Sequence, residues 1–380
     1  MKTVANLKSL LETNTIPAST ELVTPLPERG VQCFACGHRC RIPNGKAGIC
    51  KVRFNQAGTL HVPANYVSGL QVDPIEKKPF FHAFPGHEAL SFGMLGCDLH
   101  CGYCQNWVTS QALRDERALA YPHFISPDQL VHSAIEQGAP VVVSTYNEPL
   151  ITSEWAVEVF KRAKSVGLVC GFVSNGNATP EVLRFLRPWV DLYKVDLKSF
   201  NDSNYRKLGA VLRNILDSIV SIKEMGFWLE IVTLIVPGFN DSPIELDAMA
   251  RFIASISVDI PWHVTAYHPD YKMTEPNRTN VVHLERAYEI GKAAGLNFVY
   301  PGNLPGQVGH RESTFCAHCG YLLIQRRGFR ILENRMAGSN CPSCMRPVPG
   351  CWEYTPPRSS KASVFPRTLH LDERRTTLNQ

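Results

Sequence analysis

The chain has no long apolar run. Nowhere in its 380 residues is there a stretch approaching the roughly 18 consecutive apolar residues that a membrane-spanning helix needs, so no membrane span is expected. The first residues, Met1-Lys-Thr-Val-Ala-Asn6, lack an apolar segment followed by a small-residue cleavage site. No signal peptide is therefore expected, and the expected location is the cytoplasm. Charge is sparse as well. With 19% charged residues and a net charge of +5, the composition does not call for a nucleic-acid partner, because a binder of polyanions concentrates its basic groups on one face. The densest basic groups lie near the C-terminus, Arg326, Arg327, Arg330 and Arg335 and then Arg374 and Arg375, and read as a solvated tail. There is no internal repeat and no low-complexity block.

Cysteine, by contrast, is abundant. Thirteen cysteines in a chain expected to be cytoplasmic point to metal binding or catalysis, since a reducing compartment disfavours structural disulfides. Eleven of the thirteen fall into three groups with metal-ligand spacing, and only Cys170 and Cys351 stand apart. Cys170 lies in an apolar stretch and reads as a small buried hydrophobe, and Cys351 reads as packing.

Between 89 and 300 the pattern is regular. Strands are expected at 89–95, 140–146, 169–174, 191–196, 229–236 and 263–267, with a short one at 297–300. Segments of helical period lie between them, at 127–137, 153–165, 180–186, 203–225, 243–256 and 282–294. Ser126-Pro127 and Thr179-Pro180 are helix starts with proline at the first helical position. This alternation implies a parallel α/β sheet of six or seven units, a partial (β/α)6-type barrel with its site at the C-terminal strand ends. The expected organisation is an N-terminal four-cysteine metal module (1–62), the partial barrel (63–310), a zinc-ribbon-like module (311–356) and a flexible tail (357–380).

The central group, Cys97-x3-Cys101-x2-Cys104, follows the first barrel strand directly. Three thiolates in one tight loop can hold a [4Fe–4S] cluster with one iron left open, and an open position marks a catalytic metal site. Tyr103 precedes the last cysteine and could lie against an adenine ring. The spacing, with its aromatic, resembles the radical S-adenosylmethionine (SAM) superfamily. Further segments match in order. Thr145-Tyr-Asn-Glu-Pro149 resembles the superfamily's Gly-Gly-Glu-Pro segment, and Ser174-Asn-Gly and Val195-Asp-Leu-Lys198 resemble segments of the pyruvate formate-lyase activating enzyme group. The resemblance implies that Asn147 and Glu148 help hold the methionyl amine of SAM, and that Ser174 and Lys198 sit near its carboxylate or ribose. Pro149, Asn175 and Asp196 lie in the same matched segments and are carried with them as SAM-contact candidates. Tyr146-Asn147 stands where the family has Gly-Gly, so a different backbone approach is expected there.

Cys33-x2-Cys36-x3-Cys40-x9-Cys50 can close a zinc site or a second [4Fe–4S] cluster, and thiolate ligands suit either. Cys316-x2-Cys319-x21-Cys341-x2-Cys344 has the spacing of a zinc ribbon, with His318 as a bystander. Over roughly 31–354 the chain resembles the radical SAM proteins of the AmmeMemoRadiSam system. The matching pieces are the Cys33–Cys40 group with Gly45–Asn55, the central loop through Trp107, Tyr267–Lys272 and Tyr300–Asn303. His268, Tyr271 and Lys272 follow the sixth strand and are the candidates for substrate or SAM chemistry. The resemblance implies cleavage of SAM to a 5′-deoxyadenosyl radical that takes a hydrogen atom from a substrate. It also implies an external electron donor and partner proteins of AMMECR and Memo type. Two alternatives stay open: a glycyl-radical activating enzyme acting on a partner protein, and a non-enzymatic iron–sulfur or zinc scaffold.

Overall fold

The computed structural model describes residues 4–118 and 120–354. The expected tail at 357–380, with Arg374 and Arg375, lies outside the described residues. The centre of the fold is an eight-stranded sheet: β1 (Gly69–Pro74), β2 (Glu88–Gly93), β3 (Val141–Ser144), β4 (Val169–Ser174), β5 (Leu192–Asp196), β6 (Trp228–Ile235), β7 (Trp262–Ala266) and β8 (Val299–Gly302). The strands are ordered strictly in sequence from β1 to β8. Neighbours from β2 to β8 pair in parallel, and β1 pairs antiparallel with β2. Sequential order with right-handed crossovers puts the helices on one face and curls the sheet, which gives a barrel that stops short of closing.

The crossover helices are α1 (Pro127–Glu136), α2 (Ser153–Ser165), α3 (Pro180–Leu186), α4 (Asp202–Leu208), α5 (Leu212–Glu224), α6 (Pro243–Ile256) and α7 (Val281–Ala293). Their starts are written in the sequence. The side chains of Ser126, Thr179, Ser242 and Asn280 each accept from a backbone N–H of the first turn, and proline stands at the start of α1, α3 and α6. Strand β3 is buried along its whole length, as a strand covered on both faces must be. Two features differ from expectation. The helix expected over 203–225 is broken into α4 and α5 at Gly209, whose φ is +95°. The proline-rich connector at 63–88 contains β1, an edge strand of the main sheet that ends at Pro74.

Ahead of the barrel, a helix (Val4–Glu12) leads into two small antiparallel sheets, one of Thr15–Pro17, Phe54–Gln56 and Thr59–Pro63, the other of Val23–Leu26, Gly30–Cys33 and Arg41–Ile42. After the barrel, Leu322–Arg327 and Arg330–Asn334 form a hairpin joined by Thr314–Phe315. It shares a small apolar core with Phe81, Phe298, Tyr300 and Trp352. This C-terminal module touches both sides of the unclosed sheet. Arg326 donates to Phe81 O (2.8 Å) in the β1–β2 connection and to Thr314 Oγ1 (2.6 Å), which meets Tyr300 of β8 (2.9 Å). Arg326 is therefore buried, 3.9 Å from the buried Glu76, and not part of a solvated basic surface. Among the described residues no helix is long and apolar enough to cross a membrane.

Candidate active site

The loop after β2 carries Cys97, Cys101 and Cys104. It can approach the end of β3 because Gly93 has no side chain: a Cβ there would stand 2.5 Å from Thr145 O and 2.8 Å from Tyr146 Cβ. The loop is fixed from outside. Leu99 O accepts from Gln111 Nε2 (3.2 Å) and Arg114 (2.9 Å), and Gly102 O accepts from the N–H groups of Lys272 and Met273 (both 2.9 Å). His100 N donates to Leu208 O (3.0 Å).

Three thiols in one loop are the donor set that an iron–sulfur cluster takes. No three of them crowd within 4.8 Å as ligands of one ion do; among the described residues only the C-terminal group of Cys316, Cys319, Cys341 and Cys344 does so. The Leu99 N–H lies 3.4 Å from Cys97 Sγ, and Ser110 Oγ lies 3.2 Å from Cys104 Sγ, so hydrogen-bonding groups already face two of the sulfurs. Burial pushes all three thiols up in pKa, Cys101 to about 12, so thiolates at this place need a cation beside them.

The sulfurs open onto a cavity of 440 Å³ that lies over the C-terminal ends of β2 to β8. Its walls include Tyr103, Asn147, Glu148, Ser174, Asn175, Asp196 and Lys198. Pro149 is buried just behind them in a short 3-10 turn. Asn147 Oδ1 accepts from Met94 N (3.0 Å). Glu148 accepts from Leu150 N (3.1 Å), Ser174 Oγ (2.7 Å) and Asn175 N (2.7 Å). Burial raises its pKa, the Asp98 carboxylate raises it further, and those hydrogen bonds offset only part. Asp98 is fully buried and held by Asn175 Nδ2 (2.7 Å) and Asn177 Nδ2 (2.8 Å). Two buried carboxylates side by side favour a cationic ligand group. Opposite them, Asp196 binds Lys194 and Lys198 (Nζ to Oδ2 3.1 Å). Burial pushes the Asp196 carboxyl up, and the two ammonium groups more than offset it, holding it at about 2. Tyr146 adopts φ +70°, the left-handed conformation glycine favours, and its hydroxyl accepts from Lys78 Nζ (3.0 Å). Tyr146 thus holds a backbone conformation that is strained for a residue with a side chain.

The far end of the cavity holds residues that the sequence did not single out. His263 of β7 and Tyr300 of β8 line it. Behind His263, Glu230 of β6 is fully buried and accepts from Phe81 N, His82 N, Trp228 Nε1 and His263 Nε2 (2.7 Å). Burial raises the Glu230 pKa, and His263 above all outweighs it, so the net shift is downward. With Nε2–H given to this carboxylate, Nδ1 is the nitrogen left to act on a bound molecule.

His268, Tyr271 and Lys272 are not among the cavity-lining residues. His268 is exposed. Tyr271 stacks on Trp107 at 5.2 Å, and its hydroxyl donates to Asp115 (2.9 Å). Lys272 acts through its backbone on Gly102. This segment braces the cysteine loop from outside because it turns away from β7 at Tyr267, whose hydroxyl donates to Met273 O (2.8 Å). In the C-terminal group, the sulfurs of Cys316 and Cys344, and of Cys319 and Cys341, lie 3.7 Å apart. A tetrahedral ion with bonds of about 2.3 Å requires roughly 3.8 Å, so the group can hold one metal ion. His318 meets Arg346 instead (2.9 Å). Cys170 is buried in the core, and Cys351 bridges to Ala83.

Residues 93–251 match the radical SAM superfamily. The chain is 34% identical over 323 residues to an uncharacterized protein of Methanocaldococcus jannaschii, covering 84% of this chain and 95% of the relative. It is 27% identical over 183 residues to the pyruvate formate-lyase-activating enzyme of Staphylococcus aureus, covering 46% of this chain and 72% of that one. Among solved structures it is similar to a radical SAM methyltransferase from Sphaerobacter thermophilus, at 16% identity and a TM-score of 0.45, over 83% of this chain and 84% of that one. With its cysteine loop inside the matched region and at the head of a parallel α/β sheet, this chain belongs to the radical SAM superfamily.

Proposed function

We propose that the chain is an enzyme that cleaves SAM reductively at a [4Fe–4S] cluster on Cys97, Cys101 and Cys104 and uses the resulting 5′-deoxyadenosyl radical on a substrate held in the same cavity. The observation that carries this reading is one cavity walled by the three sulfurs and by an acidic and a basic side at neighbouring strand ends. When bound, the cluster supplies one electron to the sulfonium of SAM through its open iron. The protein's own residues orient and neutralise. Asn147 and Glu148 offer carbonyl and carboxyl oxygen to an amine, with the buried Asp98 carboxylate behind them. Ser174, Asn175 and Lys198 offer donors to a carboxylate or ribose, and Asp196 keeps Lys198 in place. Tyr103, packed edge-on to Phe239 at 5.6 Å, gives an apolar face to an adenine. Burial of these walls excludes water from the radical.

The division into an N-terminal module (1–62), a barrel (63–310) and a C-terminal module (311–356) belongs to this proposal, with zinc as the ion of the last. So do an external electron donor and partners of AMMECR and Memo type, which the sequence resemblance implies. The far end of the cavity bears on the substrate. Hydrogen abstraction from a backbone glycine uses no acid or base, whereas Glu230 and His263 present one. This favours a polar small molecule, or a polar side chain, over a glycyl-radical partner.

The test is anaerobic reconstitution with iron and sulfide, followed by SAM and dithionite. The wild type is expected to form 5′-deoxyadenosine and methionine, and Cys101→Ala neither. Equal amounts from both would remove the enzyme reading and leave a scaffold.

A further inference from the structure

The four cysteines ahead of the barrel are nearly buried, at 5% for Cys33, 6% for Cys36 and 7% for Cys50, with Cys40 half-buried. They lie close together: Cys33 and Cys40 share one small apolar cluster with Val31, Ala35 and Ile42, and Cys40 Sγ would stand 3.5 Å from a Cβ at Gly48, two residues before Cys50. The backbone brings the ends of the motif together through Cys33 N–H to Cys40 O (2.9 Å). Yet no three of these sulfurs lie within 4.8 Å of one another, unlike the C-terminal four. One tetrahedral zinc ion needs its sulfurs roughly 3.8 Å apart, so this wider set suits several metal atoms bridged by sulfide.

A second observation points the same way. Arg53 is 1% exposed, three residues after Cys50, and Ile151, whose carbonyl it bonds, packs against Cys50. Its two terminal nitrogens are used, on Glu154 (2.8 and 2.6 Å) and Ile151 O (3.2 Å). Its Nε has no hydrogen-bond partner among the described residues. A buried guanidinium N–H left unpaired is costly, and it finds a partner if an anionic sulfur cluster occupies the cysteine group.

The module also abuts the central loop. His38 Nε2 meets Asp98 O (3.1 Å), and Gly37 N donates to Asn177 O (2.7 Å). Asp98, which His38 meets, is the neighbour of Cys97 in the chain.

We propose that Cys33, Cys36, Cys40 and Cys50 hold a second iron–sulfur cluster, hydrogen-bonded by Arg53 Nε, and that this cluster relays electrons to the central site across Asp98. The relay rests on the function proposed above; the cluster itself does not. In the relay, a low-potential one-electron donor reduces the outer cluster. The same electron then passes to the central site, so the outer cluster is oxidised as the inner one is reduced, and no bond is made or broken.

The test uses the full chain with Cys97, Cys101 and Cys104 all changed to alanine, purified and reconstituted anaerobically. Iron and acid-labile sulfide are expected in equal numbers, with a paramagnetic signal on dithionite reduction that added SAM does not alter. Zinc in place of iron, or no metal, overturns the proposal. Formation of 5′-deoxyadenosine by the wild type is a separate readout, so failure of the radical SAM reading is told apart from failure of this one. In the same background, Arg53→Gln with Glu154→Gln keeps the pair neutral and should make the outer cluster harder to reduce; an unchanged potential removes the role of Arg53. Fully reduced wild type should show a signal broadened by two interacting spins. A plain sum of two independent signals overturns the relay.

Discussion

His82 shows how one residue ties the cavity to the C-terminal module. It is fully buried, with Nδ1 2.7 Å from Pro349 O and Nε2 2.6 Å from the Tyr300 hydroxyl. One proton pattern satisfies the chain. Pro349 O can only accept, so Nδ1 carries the hydrogen. Nε2 then accepts from Tyr300, whose oxygen accepts from Thr314, whose oxygen accepts from Arg326 (2.6 Å). A second proton on His82 would break that order. Burial lowers its pKa to about 4, more than the nearby Glu230 raises it. Because the folded value lies below the unfolded one, near 6.5, the unfolded chain binds the extra proton first as pH falls. Stability is fully present above about pH 6.5 and is lost toward pH 4, by up to about 3 kcal/mol for this group. The Tm of the wild type should therefore fall more steeply than that of His82→Gln across this window. Parallel profiles would show that His82 does not titrate as its burial requires.

At the scale of elements, the sequence displays whatever has a period. Buried β3 and β4, the capped starts of α1, α3 and α6, and the strand ends bearing Asn147, Ser174 and Asp196 are all legible from spacing and caps. What it hides is contact between distant positions. Glu230 and His263 are single polar residues in apolar strands, 33 positions apart. They meet only because β6 and β7 pair with Val232 opposite His263. The break between α4 and α5 is hidden for the same reason, since apolar residues keep helical period on both sides of Gly209. The cause is tertiary: a Cβ at Gly209 would stand 2.5 Å from the His100 ring, which is on the cysteine loop. Gly209→Ala should cost about 1–2 kcal/mol from its left-handed backbone alone. It should also push His100 and lower the iron bound at the central loop. Gly138→Ala, at φ +65° with nothing within 4 Å, carries the strain without the collision. Iron counts per chain, with helix content followed by circular dichroism, separate the two. Equal iron in both variants would show that the break does not position the loop.

At the scale of the whole molecule, the barrel is open and something must cover the gap between β8 and β1. Apolar strands and a radical site cannot be left to water. The C-terminal module does this from both sides: Arg326 bonds Phe81 O, Cys351 N–H donates to His82 O (2.7 Å), and Phe329 of the hairpin turn lines the cavity wall. Its own core is small, so on the metal proposal above its order depends on the four sulfurs and an ion held between them. Cys341→Ser removes one of the two fully or nearly buried ligands of that set. The ion should be lost, the hairpin Leu322–Asn334 should loosen, and cleavage by a protease between 311 and 354 should rise by roughly tenfold or more, the equivalent of about 1.4 kcal/mol in local opening. Iron at Cys97–Cys104 should stay, because that loop is braced by Gln111, Arg114 and the Lys272 segment and not by the hairpin. Unchanged protease resistance would mean that packing against Phe81 and Tyr300 holds the module without a metal. Loss of the central iron together with the C-terminal ion would mean that the cover and the cysteine loop fold as one unit.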